Sequence, residues 1–299
     1  MVMRVATFAL SDSMISAALR AQAKVANLEV QSASGEVSSD FGGLGSDAKK
    51  VVDLQVSISQ SKAYDDAATS ADDRVQAMYS ATGSVVDLLT SYKSALTGAL
   101  STSSDTDSLV ESAQSLMTEV ASALNVQYGG RYLFAGSQTT TAPVDLTSYP
   151  NSSAAGADTS YYQGNDQVAS VRVSDSQTVD YGVTADAGGF EQALRSLSMI
   201  ANGSSIDSDT IGSALDLATS ALDSVTGIQA SLSLKSTQLE NASSNQQDYQ
   251  SYASSLSASL TDVDVATVTA KISTYQSQLE ASYSALSKVL SLRLSDYLK

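Results

Sequence analysis

A chain of 299 residues can bury a sizeable core and exceeds one compact domain of ordinary size, so two or three substructures are expected. It holds no cysteine, histidine or tryptophan, which removes disulfides, thiolate and imidazole metal ligands and the side chain that titrates near neutrality; most enzyme classes go with them, and no cofactor or metal is expected. Its 32 acidic against 16 basic side chains give a net charge of −16, which repels a phosphate backbone and excludes nucleic acid as a partner, while no apolar run has signal-peptide or membrane-spanning length, so the sequence reads as soluble and uncleaved.

Only 2 prolines and 17 glycines interrupt the chain, and Ala, Leu and Gln fill long unbroken stretches, so helices should dominate. The expected fold is mainly α: a long helical bundle or coiled coil with paired N- and C-terminal helices and a small central β-rich insert. At the N-terminus one heptad register holds Val5, Asp12, Leu19 and Ala26 and the other Phe8, Ile15 and Gln22, as a helical seam requires. The pattern falters near Gly35, and Phe41-Gly-Gly-Leu-Gly45 reads as a turn or loose connection; residues 1–45 form the N-terminal assembly helix.

Residues 47–102 predict a second long helix, with Val51, Leu54, Ile58, Ala68, Val75, Met78, Val85, Leu88 and Leu89 on one stripe. A turn over 101–108 leads to a third helix over 109–128, ended by Gly129-Gly130, so that 46–139 supplies the first half of the bundle. Both prolines, Pro143 and Pro150, fall in the β-rich insert over 140–189. There Val168, Val171 and Val173, then Val179, Tyr181 and Val183, flank Ser-Asp-Ser-Gln 174–177 as a hairpin. Helical spacing returns over 190–200 and 208–252, burying Leu215, Leu222, Val225, Leu232 and Leu239 against the 47–128 helices. Residues 190–258 are the second half of the bundle.

Thr261-Asp-Val-Asp264 has the form of a capping box that opens the C-terminal assembly helix, 259–299. The faces nominated for burial among assembled subunits are Val5, Phe8, Ile15 and Leu19 at one end and Ile272, Tyr275, Leu279, Leu286, Leu290 and Leu294 at the other.

Four stretches resemble the flagellin superfamily. Over 28–54, Gln31-Ser-Ala-Ser-Gly-Glu36 and Gly45-Ser-Asp-Ala-Lys-Lys-Val51 are similar to the family's Ser-Gly turn and Ser-Asp-Asp segment, with Ala48 and Lys49 in place of the second Asp and the Pro or Ala after it. Gly129-Gly-Arg-Tyr-Leu-Phe-Ala-Gly-Ser-Gln-Thr-Thr-Thr-Ala-Pro143 closely resembles the segment by which hook–filament junction members leave the helical bundle. Its candidate exit residues are Gly130, Arg131, Tyr132, Leu133, Phe134, Gly136 and Pro143: the glycines end the helix, Tyr132, Leu133 and Phe134 anchor the exit, and Pro143 stops the helix from resuming. Residues 228–241 look like the returning helix. Gln278-Leu-Glu-Ala-Ser-Tyr-Ser-Ala285 and Leu290-Ser-Leu-Arg-Leu-Ser-Asp-Tyr-Leu298 resemble the C-terminal helix, and the closing Ser-Asp-Tyr-Leu-Lys favours the junction members.

The resemblance implies a structural subunit, exported through the flagellar type III apparatus and needed for filament attachment and motility. Its implied partners are other copies of itself in a ring, a neighbouring hook-associated protein, flagellin, and an export chaperone; no membrane partner is expected. The filament subunit itself is the alternative within the family. A polysaccharide-binding insert using Tyr161-Tyr162, Asp166 and Asp180 is an alternative of another class, although paired tyrosines in a small β unit more often pack than bind. Asp65-Asp66, Asp72-Asp73 and the pair Asp262 and Asp264 are the candidate carboxylate constellations for an enzyme. Adjacent carboxylates on a helix diverge and cannot form a general acid–base pair, so they read as solvated faces or caps.

Overall fold

The computed structural model describes residues 2–101, 106–147, 149 and 156–297, with side chains described between 11 and 288 inside those ranges. The expected turn over 101–108 therefore falls largely outside the described residues, as does Pro150. Along the chain run α1 (Val2–Ser34), a 3-10 helix (Phe41–Asp47), α2 (Ala48–Ser101), α3 (Thr106–Leu124), β1 (Gln127–Tyr128), β2 (Arg131–Tyr132), β3 (Ser170–Arg172), β4 (Thr178–Asp180), α4 (Gly188–Ala201), α5 (Ser208–Thr261) and α6 (Val265–Tyr297). The fold is mainly α, with two small antiparallel two-stranded sheets among the described residues.

Helix boundaries follow local chemistry. Gly35 closes α1, its N–H donating to the Gln31 carbonyl at 2.8 Å. The segment expected as a turn or loose connection is a 3-10 helix because the Asp40 carboxylate accepts from the Gly43 N–H at 2.8 Å and caps it. No glycine or proline stop follows Tyr252, so α5 runs on to Thr261, nine residues past the expected end.

Two compact units result, one from residues 1–59 and 250–299 and the other from 60–249. In the second, α2 buries Ala68, Val75, Met78, Val85, Leu89, Tyr92 and Leu96 against α5 residues Ala218, Val225, Leu232 and Leu239. Leu215 and Leu222 pack half-buried beside them. The antiparallel α2–α5 contact carries a polar row at its edge. Ser61 Oγ donates to Gln246 Oε1 at 2.8 Å, Ser243 to Asp65, and Ser236 to Asp72 at 2.6 Å.

Helix α4 is buried almost all round, as its neighbours α2, α3 and α5 require. Tyr92 Oη donates to the Ser196 carbonyl and Ser196 Oγ to the Ala214 carbonyl, at 2.8 and 2.7 Å, so every buried hydroxyl in that line has a partner. Among the described residues the one buried charge pair, Glu191 with Arg195 at 2.8 Å, lies one helical turn apart, and Glu191 Oε1 also accepts from the Asp158 N–H.

The predicted insert hairpin is present. Ser170, Val171 and Arg172 pair with Asp180, Val179 and Thr178, and the Val173 N–H donates across the tip to the Gln177 carbonyl. Val173, Val179 and Tyr181 are buried, whereas Val168 is exposed and outside the ladder.

Candidate assembly surfaces

In the first unit α1 and α6 lie antiparallel, with the Lys24 ammonium 5.3 Å from the centre of the Tyr275 ring. Beside them two loops are joined by backbone hydrogen bonds. Val263 N–H donates to the Gly35 carbonyl at 2.9 Å and Val37 N–H to the Thr261 carbonyl at 2.7 Å, forming a bridge centred on Glu36 and Asp262. The Gln31 amide reinforces the turn by donating to the Val37 carbonyl at 2.8 Å.

Asp264 caps α6, accepting from the N–H groups of Ala266 and Thr267 at 3.0 and 3.3 Å and from the Thr267 hydroxyl at 2.7 Å. Those donors, the Thr267 hydroxyl first, hold its carboxyl below the usual aspartate range. The capping-box reading is thus corrected. Thr261 is the last residue of α5 and its hydroxyl turns to the Ser257 carbonyl, which leaves Asp264 as the residue before the first helical turn.

The pairing of α1 with α6 uses small and branched residues, Ala18, Val25 and Val268, which are buried. Ile15 and Leu19 stay 44% and 61% exposed, and Val30 59%. On α6, Ile272, Tyr275, Leu279 and Leu286 are half-buried and Tyr283 is exposed. The side chains of Val5, Phe8, Leu290 and Leu294 lie outside the described residues. Single exposed leucines are ordinary on a protein surface, but ten of the sixteen exposed large apolar side chains described fall in this smaller unit.

The exit segment is built differently from the sequence reading. Gly129 and Gly130, at φ of 58° and 75°, form the two-residue turn of the β1–β2 hairpin, in which Gln127 pairs with Tyr132 and Tyr128 with Arg131. They do not end a helix; α3 stops at Leu124. The Asn125 side chain fixes that stop by exchanging hydrogen bonds of 2.9 Å with the backbone of Val144.

Phe134 is fully buried edge-on against Phe190 at 5.7 Å, with its carbonyl accepting from the Ala185 N–H. Tyr132 and Leu133 are half-buried and Arg131 is exposed. Gly136, at φ 66°, lies against the Asn165 carbonyl with no room for a Cβ. Pro143 is buried, and its carbonyl accepts from the Gln163 N–H at 2.9 Å.

Of the residues weighed for ligand binding and catalysis, some are held in structural hydrogen bonds and others lie exposed. Tyr161 is buried and donates to the Ala185 carbonyl, and Tyr162 donates to the Asn165 carbonyl. Burial raises both phenol pKa values, that of Tyr162 to about 12. Asp166 and Asp180 are exposed. Asp65 and Asp72 accept from α5, Asp73 accepts from the Tyr128 hydroxyl, and Asp66 is exposed. Among the described residues no cluster of three or more acidic side chains has the spacing to hold a metal ion. Nor is any helix among them long and apolar enough to cross a membrane.

Two sequence profiles match this architecture: the bacterial flagellin N-terminal helical region over residues 5–139 and the bacterial flagellin C-terminal helical region over 215–298. No protein of curated function matches significantly. Among solved structures, one from Vibrio parahaemolyticus, assigned as a flagellar hook-associated protein, is similar with a TM-score of 0.61 at 17% identity, covering 75% of this chain and 99% of its own. FlgL from Bacillus cereus is similar with a TM-score of 0.51 at 15% identity, covering 71% of this chain and 99% of its own.

Proposed function

The chain belongs to the flagellin family, and from that premise we propose that it is the structural subunit joining the flagellar hook to the filament. The observation that carries this reading is the apolar surface left on the paired terminal helices. Ile15, Leu19, Val30 and Tyr283 are exposed along α1 and α6, where neighbouring copies can cover them.

Residues 1–45 and 259–299 then serve as assembly helices, 46–139 and 190–258 as the two halves of the bundle, and 140–189 as the insert. The partners in this reading are further copies in a ring, an adjoining hook-associated protein, flagellin, and a chaperone during export. The protein is secreted and resides at the hook–filament junction. The exit segment over 129–143 supports the junction role over that of the filament subunit, as does the closing Ser-Asp-Tyr-Leu-Lys. A subunit at one ring must match two different surfaces, so other family members cannot replace it.

Deleting the gene tests the assignment. Basal body and hook should remain by electron microscopy, filaments should vanish, and flagellin should accumulate in the medium. Full-length attached filaments in the deletion strain would show the junction role to be wrong, and loss of the filament without released flagellin would point to the filament subunit itself.

A further inference from the structure

Asn202-Gly203 is the only Asn-Gly pair in the chain, and it closes α4, where each residue is required for a separate reason. The Asn202 N–H donates to the Ser198 carbonyl at 2.9 Å, and its side-chain amide donates to Ser198 Oγ at 3.0 Å. Gly203 lies so close to the preceding turn that a Cβ would sit 2.4 Å from the Met199 carbonyl oxygen and 2.7 Å from Ile206 Cδ1. The end of the helix thus selects an amide side chain, and the close approach selects glycine. Together they make a chemically labile dipeptide, because glycine leaves its own nitrogen unshielded and its backbone free to turn.

We propose that Asn202 is a site of spontaneous deamidation, held closed by the last turn of α4 and opened when that turn unwinds. In the reaction the Gly203 nitrogen loses its proton to solvent base and bonds to Asn202 Cγ, and the Cγ–Nδ2 bond breaks as ammonia leaves. Water then adds to the cyclic imide. Breaking the bond from nitrogen to Cγ gives aspartate, and breaking the bond from nitrogen to the backbone carbonyl carbon gives isoaspartate, with the chain rerouted through the side chain. The five-membered ring closes only when the Gly203 nitrogen lies on the same side as Asn202 Cβ. At φ −118° and ψ 5° that nitrogen is turned away, and the bond to Ser198 Oγ holds the side chain in place. Asn202 is exposed, so water reaches it and conformation is the barrier.

The conversion runs one way. Either product exchanges a donor amide for a carboxylate beside the carbonyls that end α4, where negative charge is unfavourable. Isoaspartate also lengthens the backbone by a methylene, so Gly203 no longer fits against Met199. The neighbouring bond from the Gln114 amide to the Ala201 carbonyl, at 3.1 Å, loses its fixed acceptor.

The test is peptide mapping of the full chain after incubation at neutral pH and physiological temperature, native and unfolded in urea. Trypsin releases residues 196–235 as one peptide in which Asn202 is the sole asparagine. A gain of one mass unit, located by fragmentation and with isoaspartate scored by enzymatic methylation, reads the site directly. In urea Asn202 should convert at least about tenfold faster than Asn241 and Asn245, which precede Ala242 and Gln246. In the native chain its rate should fall at least about tenfold, because only the open fraction reacts. Ser198→Ala removes the acceptor for the side chain and should speed native conversion roughly fivefold while leaving the rate in urea unchanged. Equal rates at Asn202 in native and unfolded wild type, or conversion in urea no faster than at Asn241, overturn the proposal, and neither result depends on the variant folding. A Ser198→Ala chain that is folded by circular dichroism yet deamidates at the wild-type rate overturns the role of Ser198 as the latch.

Discussion

Substituting alanine at two glycines of the exit segment separates backbone strain from steric fit. Gly130 and Gly136 have nearly the same left-handed φ, 75° and 66°, but a Cβ on Gly130 meets nothing within 4 Å, whereas one on Gly136 would overlap the Asn165 carbonyl oxygen. The left-handed conformation alone costs roughly 1–2 kcal/mol for alanine, offset by about 0.5 kcal/mol from the stiffer unfolded chain, so Gly130→Ala should lose about 1 kcal/mol. At position 136 Asn165 must also move. It receives the Tyr162 hydroxyl at 2.7 Å and the Ser137 N–H at 2.9 Å, and donates to Ser137 Oγ at 2.7 Å. Losing two of these at about 1 kcal/mol each brings Gly136→Ala to about 3 kcal/mol. Urea unfolding followed by circular dichroism, with m-values compared between variants, measures the difference. Equal destabilisation by the two substitutions would refute the argument that the close approach of Asn165 governs this turn.

Leu279→Asp places a charge on the half-buried face of α6; the variant should still be exported but join flagella at least about tenfold less, as immunoblots of purified flagella would register, and normal incorporation would remove Leu279 from the assembly face. Asp264→Ala should destabilise the start of α6. Because the folded-state pKa of Asp264 is lowered, the difference from wild type should be complete above the ordinary aspartate pKa and disappear as pH falls through the lowered value. Amide exchange at Ala266 and Thr267 reports it, and a difference independent of pH would mean that the carboxylate is not the cap. Tyr92→Phe leaves the fully buried ring in place and removes its donor to Ser196, for a loss of about 1 kcal/mol in urea unfolding; an unchanged midpoint would mean that the hydroxyl contributes nothing to the α2–α4 contact.

The long helices were legible because their apolar stripes repeat without interruption: Val75, Met78, Val85 and Leu89 are buried as their spacing requires. The Gly129-Gly130 pair was legible as punctuation but not as to kind. Glycines with left-handed φ serve both helix stops and two-residue hairpins, and the choice lay in Leu124, where α3 had already ended. A hydropathy seam also favours large residues, so it drew attention to Ile15 and Leu19, while close approach of α6 selects the smaller Ala18 and the branched Val25. In the sequence Asp65 and Asp72 read as solvated faces or caps, not as links to another helix. Their partners, Ser243 and Ser236, lie more than 160 residues away, and nothing in the local sequence announces them.

The first unit is assembled from the two ends of the chain, whereas the second is one uninterrupted stretch. During synthesis the ribosome completes Tyr249 before it has made any of α6, so every residue of the second unit is present while the first still lacks Val263, Val268 and Tyr275. The 190 residues between the halves of the first unit take roughly 10–40 s to translate, and for that interval α1 lacks the helix α6 that it packs against. A stop codon after Tyr249 would leave one unit whole and the other an orphaned half, with the Gly35 carbonyl and the Val37 N–H both lacking the loop that answers them.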